Sequence, residues 1–191
     1  MNSNVIPAKA GIQNEDMEQK TEIIIITGSA PNTLEDITAC HDVIGDRPRL
    51  YMAIGLDAVD KYAWPIRYMA TFHPAEIPAI LKRRIAAGGN TDYEIISHES
   101  RDGIAHCIGD WWKPSGSSSL LGVQAALRLG YSRIILCGCP LTGKNEQSGS
   151  YENFRSGWLP RVREIDGRVR SMSGWTKELL GAPSQEWLDI T

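Results

Sequence analysis

Glu22-Ile23-Ile24-Ile25-Ile26-Thr27, running directly into Gly28-Ser29-Ala30-Pro31-Asn32-Thr33, is the stretch on which the fold turns. Four consecutive isoleucines leave no alternate position for water, so the strand they predict is buried on both faces, as central strands of parallel sheets are. A Gly-Ser loop follows. Asn32 with Glu35 three residues on then has the spacing of a capping box, which predicts a helix reaching about Val43. Strand, small-residue loop and helix succeed one another without a linker.

The same alternation continues outward along the chain. Arg49 to Ile54 reads as a second strand broken by Gly55, with a short helix through Ala58 to Tyr62. Ile66 to Phe72 reads as a third, ended by His73-Pro74, and Glu76 to Ala87 as a helix stopped at Gly88-Gly89. Tyr93 to Ile96 is a fourth strand. Ser97 to Gly116 has no clear period and is expected to be a long loop or irregular hairpin. Leu120 to Leu129 recurs at helical spacing before Gly130, and Arg133 to Gly138 is a second buried strand. A helical region around Tyr151 to Val169 and a last short helix from Trp175 to Leu180, closed by Gly181, complete the reading. Alternating strands and helices of this kind make an α/β fold with a mostly parallel sheet.

Composition narrows the function classes. The chain has 191 residues, 42% hydrophobic and 23% charged, so at this size it buries roughly 70% of its unfolded surface without staples. Twenty Lys+Arg against 23 Asp+Glu give a net charge of −3, and no global basic field exists to hold a nucleic acid. Apolar runs such as Ile23 to Ile26 are far short of the roughly 18 residues of a membrane span. Cys40, Cys107, Cys137 and Cys139 are scattered through periodic segments, which suits a reducing cytoplasm and core thiols rather than a disulfide scaffold. Met1 to Lys20 lacks an apolar h-region followed by a cleavage site. Its run Val5 to Gln13 resembles the translated form of a dispersed proteobacterial repeat element, so residues 1–20 are expected to form a disordered tail and residues 21–191 a single domain.

Two Ser/Gly-rich loops carry the chemistry. Gly28 to Asn32 and Ser115 to Ser119 each precede the first turn of a predicted helix, where free amides and the positive end of the helix dipole stabilise a phosphate. The plain alternative is that their serines and asparagine cap helices and their glycines turn the chain. No G-x-G-x-x-G follows the first strand, which argues against a dinucleotide dehydrogenase.

The pairing of Ile24 to Asn32 with Ser115-Gly116-Ser117-Ser118-Ser119 and the later Leu127-Arg128-Leu129-Gly130-Tyr131-Ser132-Arg133-Ile134-Ile135-Leu136-Cys137-Gly138 resembles a superfamily of Rossmann-like transferases. Its members include archaeal 6-hydroxymethyl-7,8-dihydropterin pyrophosphokinase and certain bacterial sialyltransferases. The resemblance implies a three-layer Rossmann-like sheet with helices on both faces. It also implies that Gly28, Ser29 and Asn32 lie near a nucleotide, with Ser115, Gly116, Ser117 and Ser118 at the helix entrance. Those families carry an acidic residue just after the last strand's glycine, where this chain has Cys139-Pro140-Leu141.

Other residues are weighed beside these. Gly138 to Asn145 nearly spells a P-loop, but Asn145 replaces the magnesium-holding Ser/Thr and no apolar helix begins at once. Lys144 is then either a mobile point charge for phosphate or a solvated loop lysine. His73 follows a strand on the expected ligand side and is the candidate general base or phosphate contact, against a plain role as a helix cap. His98 and His106 fall in the long loop, where solvation is the simpler reading, and His41 lies inside the first helix. The Cys137-x-Cys139 spacing fits no zinc knuckle, so no metal site is expected, and Mg2+ enters only as the companion of a nucleotide. Arg155, Arg161, Arg163, Arg168 and Arg170 form either a pyrophosphate clamp or a solvated basic face. Trp111, Trp112, Trp158 and Trp175 either stack on a base or pterin or seal a core. Ser173-Gly174-Trp175-Thr176 repeats the small-residue arrangement before a helix.

These readings converge on a cytoplasmic, nucleotide- or phosphate-ester-binding protein, compatible with a homo-oligomer, that takes a small-molecule partner and neither nucleic acid nor membrane. The expected activity is a transferase of the pyrophosphokinase or glycosyltransferase kind. The alternative is a non-catalytic nucleotide-binding or accessory module of phage or mobile-element origin that kept the crevice and lost the chemistry.

Overall fold

The computed structural model describes residues 20–109, 117–143 and 151–190; of the expected tail, 1–20, residues 1–19 lie outside them and Lys20 begins the first strand. Along the chain run β1 (Lys20–Thr27), α1 (Thr33–Ile44), β2 (Arg49–Ile54), α2 (Gly55–Lys61), β3 (Tyr68–Thr71) and α3 (Ile77–Ala86). After them come β4 (Glu94–Ser97), β5 (His106–Cys107), α4 (Ser118–Arg128), β6 (Tyr131–Cys137), α5 (Glu152–Trp158) and α6 (Val162–Ile165). The chain closes with β7 (Val169–Ser171), α7 (Gly174–Leu180) and α8 (Gln185–Asp189). The seven strands form one sheet in the order β5-β4-β3-β2-β1-β6-β7. Every neighbouring pair is parallel.

The isoleucine run sits where its composition demands. Ile24 and Ile26 pack with Met52, Ile54 and α4's Leu120, Leu121 and Val123 on one face. Ile23 and Ile25 pack with α1's Ile37, Cys40 and Ile44 on the other. Each buried isoleucine is worth about 1.5–3 kcal/mol, so β1 dominates the register of its neighbours. On the α1 side, Ala58, Val59 and Ile80 of α2 and α3 cover Ala53 and Met69. Helices therefore lie on both faces of the sheet, giving three layers.

One glycine sets the height of α4 above the sheet. A Cβ on Gly122 would stand 2.8 Å from the Ile54 Cγ2, so a larger residue would lift the helix and its N-terminus away from β1 and β2.

Four local readings change. The stretch expected to be an irregular loop or hairpin contains β5, which pairs with β4 in parallel rather than turning back on it. The helical region from Tyr151 is interrupted: α5 passes into a 3-10 turn at Leu159–Arg161, then α6, then the edge strand β7. Pro160 sits in that turn, without the N–H a continuing helix requires. α7 is not the last helix, because α8 follows and docks Trp187 into the α1-side core. Finally, Asn32 occupies the N-cap of α1 but makes no capping hydrogen bond. Its amide is drawn instead to Asp36 (3.2 Å) and Ser173 (2.9 Å).

Candidate functional site

The strand order reverses at β1. β2 follows it on one side, and on the other stands β6, reached after the chain has travelled to the far edge at β5 and returned. In open parallel sheets, ligands bind outside the carboxyl ends of the strands at such a switch point. The loops after β1 and β6 meet there.

Gly28 is buried and donates its N–H to the Cys137 carbonyl at 2.8 Å. A Cβ at this position would lie 2.1 Å from the Gly138 carbonyl oxygen, so glycine is required here for backbone to approach backbone. Ser29 is exposed. Its carbonyl accepts a 2.6 Å hydrogen bond from Lys61 Nζ in the last turn of α2, and the same ammonium reaches Ala30 at 3.3 Å. Lys61 was not singled out by the sequence; only the fold brings it to this loop.

On the α1 side, the gap between the two loops is filled by the chain itself. Asp36, 7% exposed, accepts the Gly138 N–H (2.7 Å) and the Ser173 hydroxyl (2.6 Å) on Oδ2. Thr176 Oγ1 donates to the Cys139 carbonyl at 2.8 Å. Thus Ser173-Gly174-Trp175-Thr176, which repeats the loop pattern, joins the β1 and β6 loops instead of presenting a separate pocket. Cys139, standing where the resembling families carry an acid, is 5% exposed, and burial pushes its thiol well above the usual range. It supplies no charge. Asp36, the acid that is present, accepts the Gly138 N–H and the Ser173 hydroxyl on Oδ2 and the Asn32 amide on Oδ1. Among the described residues, no group of three or more His, Cys, Asp or Glu side chains is arranged to hold a metal ion.

On the opposite face, α4 brings its N-terminus to the same edge. Ser117 caps it: the hydroxyl accepts the Leu120 N–H (3.4 Å) and the Trp158 indole N–H (3.2 Å), and it lies 2.9 Å from Ser119 Oγ. At 3% exposure that hydroxyl is fully engaged. Ser118 is half-buried and faces Gly55, whose φ of +72° lets β2 turn beneath it; a Cβ there would sit 3.6 Å from Ser118 Oγ. Ser115, Gly116 and Lys144 lie outside the described residues, as do Trp111, Trp112 and Asn145.

Of the histidines, His73 follows β3 by two residues. Its N–H bonds Thr71 Oγ1 at 2.9 Å, and its imidazole, 57% exposed, has Nδ1 3.9 Å from Glu76 Oε1. His106, expected in a loop, is in β5 with Nε2 2.5 Å from Glu94 Oε2, a carboxylate that also takes Arg67 at 2.5 Å. His98 follows β4 and is half-buried.

Several residues weighed for ligand binding serve the protein. Trp158 is fully buried. Arg155 donates Nε (2.8 Å) and Nη2 (2.5 Å) to the carbonyl of Leu141 and lies over the Trp175 ring at 5.4 Å. Leu141 has φ +46°, a left-handed conformation rare for a branched residue, in the loop directly after β6. Arg161 pairs with Glu164, and Arg170 lies over Trp187.

No family model and no curated protein matches the chain. A solved structure does: the sialyltransferase CstII from Campylobacter jejuni, in complex with the substrate analogue CMP-3FNeuAc. The two superpose with a TM-score of 0.58 at 14% identity, over 86% of this chain and 87% of that one. The likeness is one of fold. It falls on the sialyltransferase side of the resemblance seen in the sequence, and among the described residues no helix is long and apolar enough to cross a membrane.

Proposed function

We propose that the chain binds a nucleotide-activated sugar at the carboxyl edge of its sheet and belongs, functionally, with glycosyltransferase-like transferases. The observation that carries this reading is the convergence of the Gly28–Asn32 loop and the N-terminus of α4 on one edge, with Gly55 beneath Ser118. Apart from the Leu120 amide, which Ser117 caps, the first amides of α4 have no intrahelical acceptor, so they and the helix dipole favour a phosphate oxygen beside Ser118. Ser115 and Gly116 would extend that cradle, and Lys144 would add a mobile charge. The loop from Gly28 to Asn32 would form the opposite side with Ser29 as its exposed residue, and Lys61 holds it by the Ser29 and Ala30 carbonyls. The fold-level neighbour was solved with a CMP-sugar analogue, which selects CMP-linked sugars as the first donor class to test. His73, exposed after β3 at this edge, would be the general base or a phosphate contact.

A second reading has its own observation. Cys139 is a buried neutral thiol where an acid is usual, which favours a binding module without turnover.

A thermal-shift screen with CMP, CMP-sugars, ATP, GDP-sugars and pterins separates these. A ligand at a hundred times its Kd adds about 2.7 kcal/mol to the native state. Stabilisation by CMP together with CMP release from a CMP-sugar supports the transferase; stabilisation without release supports the module. Preference for pterins, or no stabilisation by any nucleotide, sinks the reading.

A further inference from the structure

Every carbonyl in the turn from Gly28 to Ala30 is occupied by a protein donor. Thr33 Oγ1 donates to the Gly28 carbonyl (3.3 Å) and the Ala30 carbonyl (2.7 Å), and the Thr33 N–H adds a 3.1 Å bond to Ala30. The Ser29 carbonyl is left to Lys61, whose Nζ donates to it at 2.6 Å and reaches Ala30 at 3.3 Å. Among the described residues no other group donates to that oxygen. The donors of the turn are spent differently. Gly28 gives its N–H to Cys137 and Ala30 gives its N–H to Gly138. The N–H and hydroxyl of exposed Ser29, by contrast, find no acceptor among the described residues. A turn with its carbonyls masked and a serine's two donors open suits an anion, because a bare carbonyl oxygen would repel a phosphate oxygen.

The cation that masks the Ser29 carbonyl is itself not neutralised. Asp60, its neighbour in sequence, is taken by Arg83 at 2.5 Å, and among the described residues no carboxylate pairs with Lys61. The end of its own helix already has another cation. Completely buried Arg84 holds the carbonyls of Val59 (2.8 Å) and Tyr62 (2.5 Å), on either side of Lys61. That grip fixes the backbone from which the lysine reaches the turn, and Nζ lies 5.9 Å from the centroid of the Tyr62 ring. An ammonium has three N–H groups and no acceptor. Two are directed at Ser29 and Ala30, so one N–H and the positive charge remain for a ligand.

We propose that Lys61 is the positioning residue that makes the Gly28–Asn32 loop a phosphate-binding wall. It holds the Ser29 carbonyl away from the ligand, and its charge beside the open Ser29 donors stabilises a phosphate there. That this phosphate belongs to a nucleotide rests on the donor-binding reading above. Lys61 thereby selects the charged part of the ligand and is indifferent to its base and ribose.

Calorimetric titration of the full chain with CMP, cytidine and inorganic phosphate tests this. Lys61→Met, which keeps the length of the side chain and removes its charge, is expected to weaken CMP binding by about 10–100-fold. It is also expected to flatten the fall of CMP affinity with added salt, while cytidine binds as to wild type. Lys61→Arg, which keeps the charge, is expected to recover most of the lost affinity. CMP bound by Lys61→Met as tightly as by wild type, or CMP and cytidine weakened alike, overturns the assignment and leaves the donor-binding reading standing. Lys61-dependent binding of inorganic phosphate by a chain that ignores CMP supports the phosphate wall and overturns the nucleotide. A wild-type chain that binds none of the three overturns both.

Discussion

Asp36, in the first turn of α1, accepts the backbone N–H of Gly138 at 2.7 Å across 102 positions of sequence. This carboxylate lies between the loops after the two central strands and holds them in register, with Ser173 bonded to the same oxygen. Asp36→Ala orphans the Gly138 amide and the Ser173 hydroxyl, at about 1–3 kcal/mol for each group left buried and unpaired. Urea unfolding checks this; an unchanged midpoint contradicts it.

Gly28 and Ser29 are neighbours with opposite tolerances. Gly28→Ala places a methyl against the Gly138 carbonyl, a backbone atom that cannot rotate aside. It is expected to cost about 1–3 kcal/mol and to weaken nucleotide binding. Ser29→Ala, at an exposed side chain, stays within about 0.5 kcal/mol of wild type. Comparing the melting temperatures of both variants decides the point.

Arg84 is a buried cation whose bonded groups are all neutral oxygens. Its guanidinium donates to the carbonyls of Val59 (2.8 Å), Tyr62 (2.5 Å), Trp64 (2.6 Å) and Asn90 (3.2 Å) and to Asn90 Oδ1 (2.7 Å). The planar fork pins the chain after α2 to α3. An ammonium cannot reproduce five directed bonds, so Arg84→Lys is expected to lose about 2–5 kcal/mol. Denaturant titration gives the answer, and a loss under half a kcal/mol, roughly the scatter of surface substitutions, contradicts it.

His41 sets a pH dependence. Its Nε2 is 2.5 Å from the Tyr51 hydroxyl. Burial first, and Arg49 second, lower its pKa below the ordinary 6.5. The unfolded chain therefore binds this proton more tightly than the native one, so the contribution is intact above pH 6.5 and is lost as pH falls through and below it. His41→Gln is expected to flatten that slope, measured as the unfolding midpoint on either side of pH 6.5; an equal slope in both proteins rules it out.

The centre of the fold was legible because β1 and β6 are apolar without alternation and α4 is periodic. β5 and β7 were not, because strands of two and three residues at a sheet edge are too short for any period to register. Pro160 was in plain view as a breaker and was the signal for the interrupted helix. For the site, the sequence located both small-residue loops, yet the consumption of the Ser117 hydroxyl depends on Trp158, 41 positions away.

The position of β1 also shapes how the chain must be born. Its first neighbour, β2, is the next strand made, but its second, β6, leaves the ribosome only after four others. At translation rates of about 5–20 residues per second, the nascent isoleucine run waits on the order of ten seconds with one flank open. Until β6 emerges, that flank is open to any apolar surface the nascent chain meets, so the last-made central strand sets how long the first stays exposed.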